Sequence, residues 1–249
     1  EIETFIGQSI DSELSGNMID ICPVGALTSK PFRYSARTWE LSRRKSISPH
    51  DSTGANLVLQ VKNNKVMRVV PLENEAINEC WIADRDRFSY EALHGPERLL
   101  KPMIKQGGSW QEVEWQVALE YVAAGLQQIK LDHGASTIGA LVSPHSTLEE
   151  LALAGALVRG LGSENIDYRL RHAEFLPQTA ARWLGMPIAE LTRLQRVLVV
   201  GAYLRKDHPL FAQRIRQAVR QGAQVSRIDT GKTDWAMPLA HDIQSDASQ

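Results

Sequence analysis

The sequence predicts an α/β protein: a small loop-rich and β-containing part comes first, followed by a larger α/β part with a mostly parallel sheet. Three observations lead there. Two β-branched runs, "NLVLQV" and "KVMRVV", flank Lys62, Asn63 and Asn64, and Asn tolerates the positive φ of a tight hairpin turn. Further on, two amphipathic segments each follow a Ser and a Glu at capping-box spacing. Last, a buried-strand run, a helix opened by Pro209 and a second strand run follow in order.

Residues 1–45 form the first segment. It lacks a periodic pattern and becomes basic towards its end, where Arg33, Arg37, Arg43, Arg44 and Lys45 surround Trp39. Such a run is either a solvated face or a docking surface. Residues 46–95 form a small β subdomain around the hairpin, and 96–249 form the α/β part. There Ser109 and Glu112 cap a helix whose Trp115, Leu119, Val122, Leu126 and Ile129 recur at helical intervals. The apolar run "TIGALV" follows, and Ser146 with Glu149 caps "LEELALAGALVRG", which Gly160 or Gly162 ends. "RVLVVGAYL", "PLFAQRIRQAVRQ" closed by Gly222, and "AQVSRID" make a βαβ unit.

With 249 residues, 43% of them hydrophobic, the chain has the material for a real core. Its 28 Lys and Arg nearly cancel its 29 Asp and Glu, so no global charge favours nucleic acid or an anionic membrane surface. Two cysteines are too few for a disulfide framework, which suits a reducing compartment. The most apolar helical stretch, "LALAGALVRGLG", is broken by Arg159 and is shorter than the ~20 residues of a membrane span, so no direct membrane insertion is expected. The first residue is Glu1, and both ends break off abruptly, so a piece of a longer polypeptide is expected.

Few residues announce chemistry. "VVGAYLRKDHP" supplies only Gly201 where a dinucleotide site would show several glycines, and no phosphate loop, nucleophile elbow or H-E-x-x-H pair occurs. The seven histidines, His50, His94, His133, His145, His172, His208 and His241, have no ligand spacing and read as surface or capping residues. Glu149 and Glu150 suit a helix N-terminus. Cys22, followed by Pro23, is the exception. A remote Cys-Pro supplies the fourth thiolate in ferredoxin-type cluster motifs, though a buried structural thiol would read the same way. Cys80 has no such context and reads as a plain core or surface cysteine.

"LSGNMIDICPVGALTSKPF" with "ARTWEL", then "VMRVVPLENEAINECWIADRDRFSYEAL", "GSWQEVEWQVAL" and "VLVVGAYLRKDHPLFAQRIRQAV", resembles a middle stretch of the large iron-sulfur subunit of respiratory NADH:quinone oxidoreductase. The second half resembles molybdopterin oxidoreductases. The resemblance implies that Cys22 is the fourth ligand of a [4Fe-4S] cluster whose other three cysteines lie upstream, with Val24 to Leu27 shielding the sulfurs. It implies an electron-transfer role, other subunits including the NADH-oxidising flavoprotein as partners, and a place peripheral to the inner membrane on the cytoplasmic or matrix side. It implies no catalytic acid, base or nucleophile and no molybdopterin. Some relatives hold a further cluster where this chain has Ser48, Asp51, Ala55 and Ala83, so no cluster is expected there. An ordered but empty pocket is expected instead. A molybdopterin-dependent enzyme such as a formate dehydrogenase and a cofactor-free interaction module are the alternative readings.

Overall fold

The computed structural model describes residues 7, 9–168 and 183–246. By contacts, residues 1–95 and 182–249 form one compact unit and residues 96–181 another. Grouping by contacts differs from the sequence division at 45/46 and 95/96, and the two share the break after residue 95.

The first unit opens with a short helix, α1 (Asn17–Ile21), and a three-stranded antiparallel sheet, β1 (Ser42–Ile47), β2 (Asn56–Lys62) and β3 (Lys65–Pro71), in that order. Lys62 pairs with Lys65 across Asn63 and Asn64, whose φ values of 50° and 59° are those the expected two-residue hairpin loop requires. Strand β1 was not foreseen, since its basic sequence lacks apolar alternation and its side chains are mostly exposed. Its order comes from register with β2, and it spans the division drawn at 45/46. Leu57, Val69 and Ile82 make the core here, with Leu59, Val66 and Tyr90 against them, and α2 (Asp84–Phe88) follows.

In the second unit β4 (Met103–Gln106) and β5 (Ser109–Glu112) form a hairpin over Gly107 and Gly108, whose φ values are +57° and +85°. This corrects the expected cap: Ser109 and Glu112 are strand residues. Two consecutive glycines turn the chain where the capping-box spacing suggested a helix start. The helix α3 (Trp115–His133) starts after Glu114 with no side-chain cap. The expected apolar face is on α3, but it lies open, with Trp115 67% and Leu119 62% exposed. A two-residue strand, β6 (Ala140–Leu141), precedes α4 (Leu148–Gly160) and pairs parallel with β7 (Ile166–Asp167). The capping box of α4 is real but one residue later than expected. Thr147 Oγ1 accepts from Glu150 N at 3.2 Å, and Glu150 Oε2 accepts from Thr147 N at 2.8 Å.

The chain then returns to the first unit. There β8 (Arg196–Val200), the single turn α5 (Leu204–Asp207), α6 (Pro209–Arg220), β9 (Gln224–Asp229) and β10 (His241–Gln244) build a parallel sheet of order β10-β9-β8. The order of the βαβ unit is as expected: Pro209 occupies the first turn of α6, and Gly222 after its end has φ +102°. The strand β8 corrects the buried run expected there, since Leu198 and Val200 are exposed and only Val199 is enclosed: the side chains of a strand alternate between its two faces, and α6 covers one of them. Leu210, Ile215 and Ala218 on α6 are buried, as are Val199 and Val225 on the sheet.

Arginines stitch this returning segment to the N-terminal one. Arg205, buried, donates to Glu13 Oε2 (2.7 Å), to the Asp11 carbonyl (2.7 Å) and to Asp234 Oδ2 (2.5 Å). Burial alone would raise the Glu13 carboxyl, but Lys206 and Arg205 hold it below the usual range. Arg214, also buried, donates to the Glu75 carbonyl (2.8 Å) and the Ile77 carbonyl (3.0 Å). Arg85 reaches the Asp207 (2.7 Å) and Lys206 (3.1 Å) carbonyls at the end of α5. A guanidinium suits this role because its donors lie in a fixed planar fork. Arg214→Ala strips two carbonyls of their donor and is expected to cost about 2–4 kcal/mol of folding stability. Urea unfolding of the variant beside the parent chain checks this.

Candidate functional site

The site begins with the reason α1 stops. The residue before a proline is pushed out of the helical region, so Pro23 sends Cys22 to φ −71°, ψ 107° and ends the helix at Ile21. The Cys22 N–H still donates to the Met18 carbonyl at 3.1 Å, so the backbone is fixed on the side of the thiol. The chain then curls through Gly25, whose φ is +65°. The backbone amide of Leu27, with lesser contributions from Ala26, Val24 and Gly25, holds the Cys22 thiol below its ordinary range against the opposing effect of burial. An open apolar hollow of about 460 Å³ adjoins the loop, lined by Met18, Ile19, Ala26, Leu27 and Phe88 among others.

The platform under α1 comes from the β subdomain. Asn17, 4% exposed, donates from Nδ2 to the Ile82 carbonyl (2.8 Å) and accepts at Oδ1 from the Ile82 N–H (3.1 Å). Asp84 accepts from Ser15 Oγ (2.5 Å) and the Gly16 N–H (2.7 Å), while its own N–H donates to the Glu13 carbonyl (2.8 Å). Arg87 closes the latch with bonds to Asn17 Oδ1 (3.1 Å) and Asp20 Oδ2 (2.5 Å). Position 16 admits only glycine at this distance, because a Cβ there would lie 2.8 Å from Arg87 Cδ and Asp84 Oδ1. Sequence reasoning missed Asn17, Asp84 and Arg87. "DRDR" carries no motif that points to these roles, and only its burial and hydrogen bonds show them.

The side chains at the four positions Ser48, Asp51, Ala55 and Ala83 are all buried, and Ser48 and Asp51 bond to α2, which follows Ala83. Ala55 and Ala83 are each 1% exposed. Ser48 Oγ donates to the buried Asp86 Oδ1 (2.5 Å) and accepts from the His50 N–H (3.2 Å). Asp51 pairs with Arg85 (2.5 Å) and accepts from the Thr53 N–H (2.8 Å). The local turn bonds are those expected, and Asp86 and Arg85 in addition engage the oxygens of Ser48 and Asp51. They do so because a buried hydroxyl and carboxylate need partners. Among the described residues no three His, Cys, Asp or Glu side chains converge as a metal site. A [4Fe-4S] cluster takes four ligands, of which Cys22 offers one sulfur.

The other thiol contrasts with it. Cys80 is exposed, and partial desolvation together with Glu79, Glu73 and Glu75 pushes its pKa up. Among the histidines, His94 accepts from the Val66 N–H (3.3 Å) and His208 bonds Ser52 (2.9 Å), in keeping with surface and capping roles. His172, and "YRLRHAEF" beyond Tyr168, lie outside the described residues.

Burial raises the Asp86 carboxyl above the ordinary aspartate value near 3.8, and the Ser48 hydrogen bond only partly offsets this. The folded chain thus binds this proton more tightly than the unfolded chain, and the Asp86 contribution to stability falls as pH rises from about that value to the raised one. Asp86→Asn keeps an acceptor for Ser48 and removes the titration. Its unfolding free energy, measured across that window, is expected to lose the downward slope and to exceed the parent's at neutral pH.

Comparison with known proteins places these features. Residues 98–247, more than half of the chain, match the family model "Molybdopterin oxidoreductase". Residues 41–91 match the NADH-ubiquinone oxidoreductase NDSU1/NuoG-like 4Fe-4S domain, and residues 1–28 the ferredoxin-like domain of NADH-quinone oxidoreductase subunit 3. The G-subunit of NADH-quinone oxidoreductase from Rickettsia felis is 39% identical over 98% of this chain and 36% of its own length. The NADH-ubiquinone oxidoreductase 75 kDa subunit of Reclinomonas americana is 35% identical over 89% of this chain and 34% of its own. The mitochondrial NADH dehydrogenase [ubiquinone] iron-sulfur protein 1 of Solanum tuberosum is 46% identical over 88% and 29%. The chain thus spans about a third of the length of these relatives. Acetylene hydratase from Pelobacter acetylenicus shares the fold, with a TM-score of 0.53 at 13% identity over 78% of this chain and 28% of that one. The chain belongs to the molybdopterin oxidoreductase family and, within it, is homologous along nearly its whole length to a stretch of the NuoG-type iron-sulfur subunit of NADH-quinone oxidoreductase.

Proposed function

We propose that this chain is part of an electron-transfer subunit of respiratory complex I, in which Cys22 is one thiolate ligand of a [4Fe-4S] cluster. The observation that carries the reading is the Cys22 loop, where a proline ends the helix and the neighbouring backbone amides hold the thiol below its usual range. Bound there, a cluster would accept and release single electrons. The residues of this chain hold and shield it: Cys22 supplies the sulfur, the Val24–Leu27 backbone offsets its charge, and the Asn17–Ile82 pairing keeps α1 in place. The other three ligands are assigned to residues upstream of Glu1, as the resemblance implies.

The remainder is read as scaffold. Residues 1–45 close a ferredoxin-like module, 46–95 form a 4Fe-4S-type subdomain without a cluster, and 96–249 form an α/β domain that carries no molybdopterin. The paired oxygens of Ser48 and Asp51 and the buried methyls of Ala55 and Ala83 support the second assignment, since none is a ligand ready for iron. The partners are other complex I subunits, the NADH-oxidising flavoprotein among them, on the cytoplasmic or matrix face of the inner membrane. Among the described residues no helix is long and apolar enough to cross a membrane.

Cys22→Ala in the full-length subunit is the test, with Cys80→Ala as control. Electron paramagnetic resonance of the reduced protein is expected to lose one [4Fe-4S] signal in the first variant and none in the second. An unchanged spectrum in Cys22→Ala would remove the ligand assignment.

A further inference from the structure

We propose that β1, the free edge of the three-stranded sheet, is a docking strand for an acidic, extended segment of a neighbouring polypeptide, which pairs with it as a fourth strand. The inference is independent of the iron-sulfur reading and concerns a different face of the chain's chemistry.

The backbone supplies the first part of the argument. Among the described residues, strand β1 is outermost in its sheet. The Ser48 N–H donates to the Ala55 carbonyl at 2.8 Å, which sets the phase of the antiparallel ladder. Backbone groups alternate sides along a strand, so the even-numbered residues 42, 44 and 46 bond β2. Arg43, Lys45 and Ile47 therefore direct their N–H and C=O groups off the free edge. Six residues at about 3.3 Å each give roughly 20 Å of such edge, as long as an ordinary strand.

Charge supplies the second part. Arg43, Arg44 and Lys45 are all exposed, and none of their side chains has an ion-pair or hydrogen-bond partner among the described residues. Between residues 30 and 45, Lys30, Arg33 and Arg37 add to them, whereas Glu40 is the only acid. Glu40 cannot neutralise the edge, because Oε2 is held by Lys62 Nζ and the Arg37 N–H, both at 2.9 Å. This concentration of positive charge stands in a chain whose net charge is −1. Trp39, 82% exposed, and Ile47, 63% exposed, flank the cationic stretch and offer apolar anchors at its two ends.

The occupant follows from what the edge repels. Cationic side chains on a free edge discourage self-pairing, so a second copy, bringing the same three cations, is the wrong partner. An extended segment with Glu or Asp at alternate positions satisfies the open backbone groups and the charges together.

The test uses a fluorescein-labelled peptide of alternating Glu and Thr, with a Lys–Thr peptide and a single-stranded oligonucleotide as controls. Fluorescence anisotropy reads binding, and amide hydrogen exchange reads where it occurs. The Glu–Thr peptide is expected to bind, to slow exchange at Arg43, Lys45 and Ile47, and to weaken when ionic strength rises from about 0.05 to about 0.3 M. The triple variant Arg43→Glu, Arg44→Glu, Lys45→Glu is expected to bind about tenfold more weakly or worse. Lys45→Pro removes one outward donor without touching the β2 ladder and is expected to weaken binding while the sheet stays folded. Binding that survives Lys45→Pro unchanged, protection elsewhere, or tighter binding of the oligonucleotide would overturn the proposal, as would no binding of the acidic peptide.

Discussion

A single buried carboxamide, that of Asn17, holds the reactive end of this molecule in place. It gives and takes one hydrogen bond with the backbone of Ile82, the residue most completely enclosed in the core of the small sheet. The side chain thus behaves as a short piece of β-ladder, linking a five-residue helix to the segment 65 residues away that packs on the sheet. A helix of one turn and a half has little stability of its own, since nucleation costs more than so few bonds return. Its orientation must come from outside, and Asn17, Asp84 and Arg87 provide it.

That constraint passes directly to the thiol. Cys22 is the capping residue of α1, so whatever fixes the helix fixes the position of the sulfur. The loop after it has no regular structure, and its course is set by Pro23, which locks one φ, and by Gly25, which admits the positive φ that turns the chain. The arginine bonds between the N-terminal and returning segments act one level further out. Arg205 anchors Asp11 and Glu13, whose carbonyl receives the Asp84 N–H, so the latch beneath Cys22 is itself held from the βαβ side of the same unit.

The sequence made the local features with a sharp chemical signature legible. Asn63 and Asn64, Pro209 and Gly222, and the Cys22–Pro23 step each act on φ or remove a donor, so their effect does not depend on distant residues. Features decided by competition between local signals were misplaced: the glycines at 107 and 108 overrode the Ser109–Glu112 spacing, and Thr147 took the cap from Ser146. Features decided by long-range pairing were invisible. Nothing in "SRRKSI" suggests a strand, and nothing in "DRDR" reveals that Asp86 and Arg87 are buried while Asp84 and Arg85 reach outward to other segments. The candidate site divides the same way: the thiol was read from the sequence, but the side chains that hold it were not.

The account stands on the claim that the folded chain, through Asn17, holds the Cys22 thiol below its ordinary range. The pH dependence of alkylation by iodoacetamide, followed at each thiol by mass spectrometry, measures this directly. Cys22 should titrate below the ordinary thiol range and Cys80 above it, and Asn17→Ala should move Cys22 alone back toward the ordinary range. A Cys22 profile at or above the ordinary range, or one indifferent to Asn17→Ala, would contradict the account.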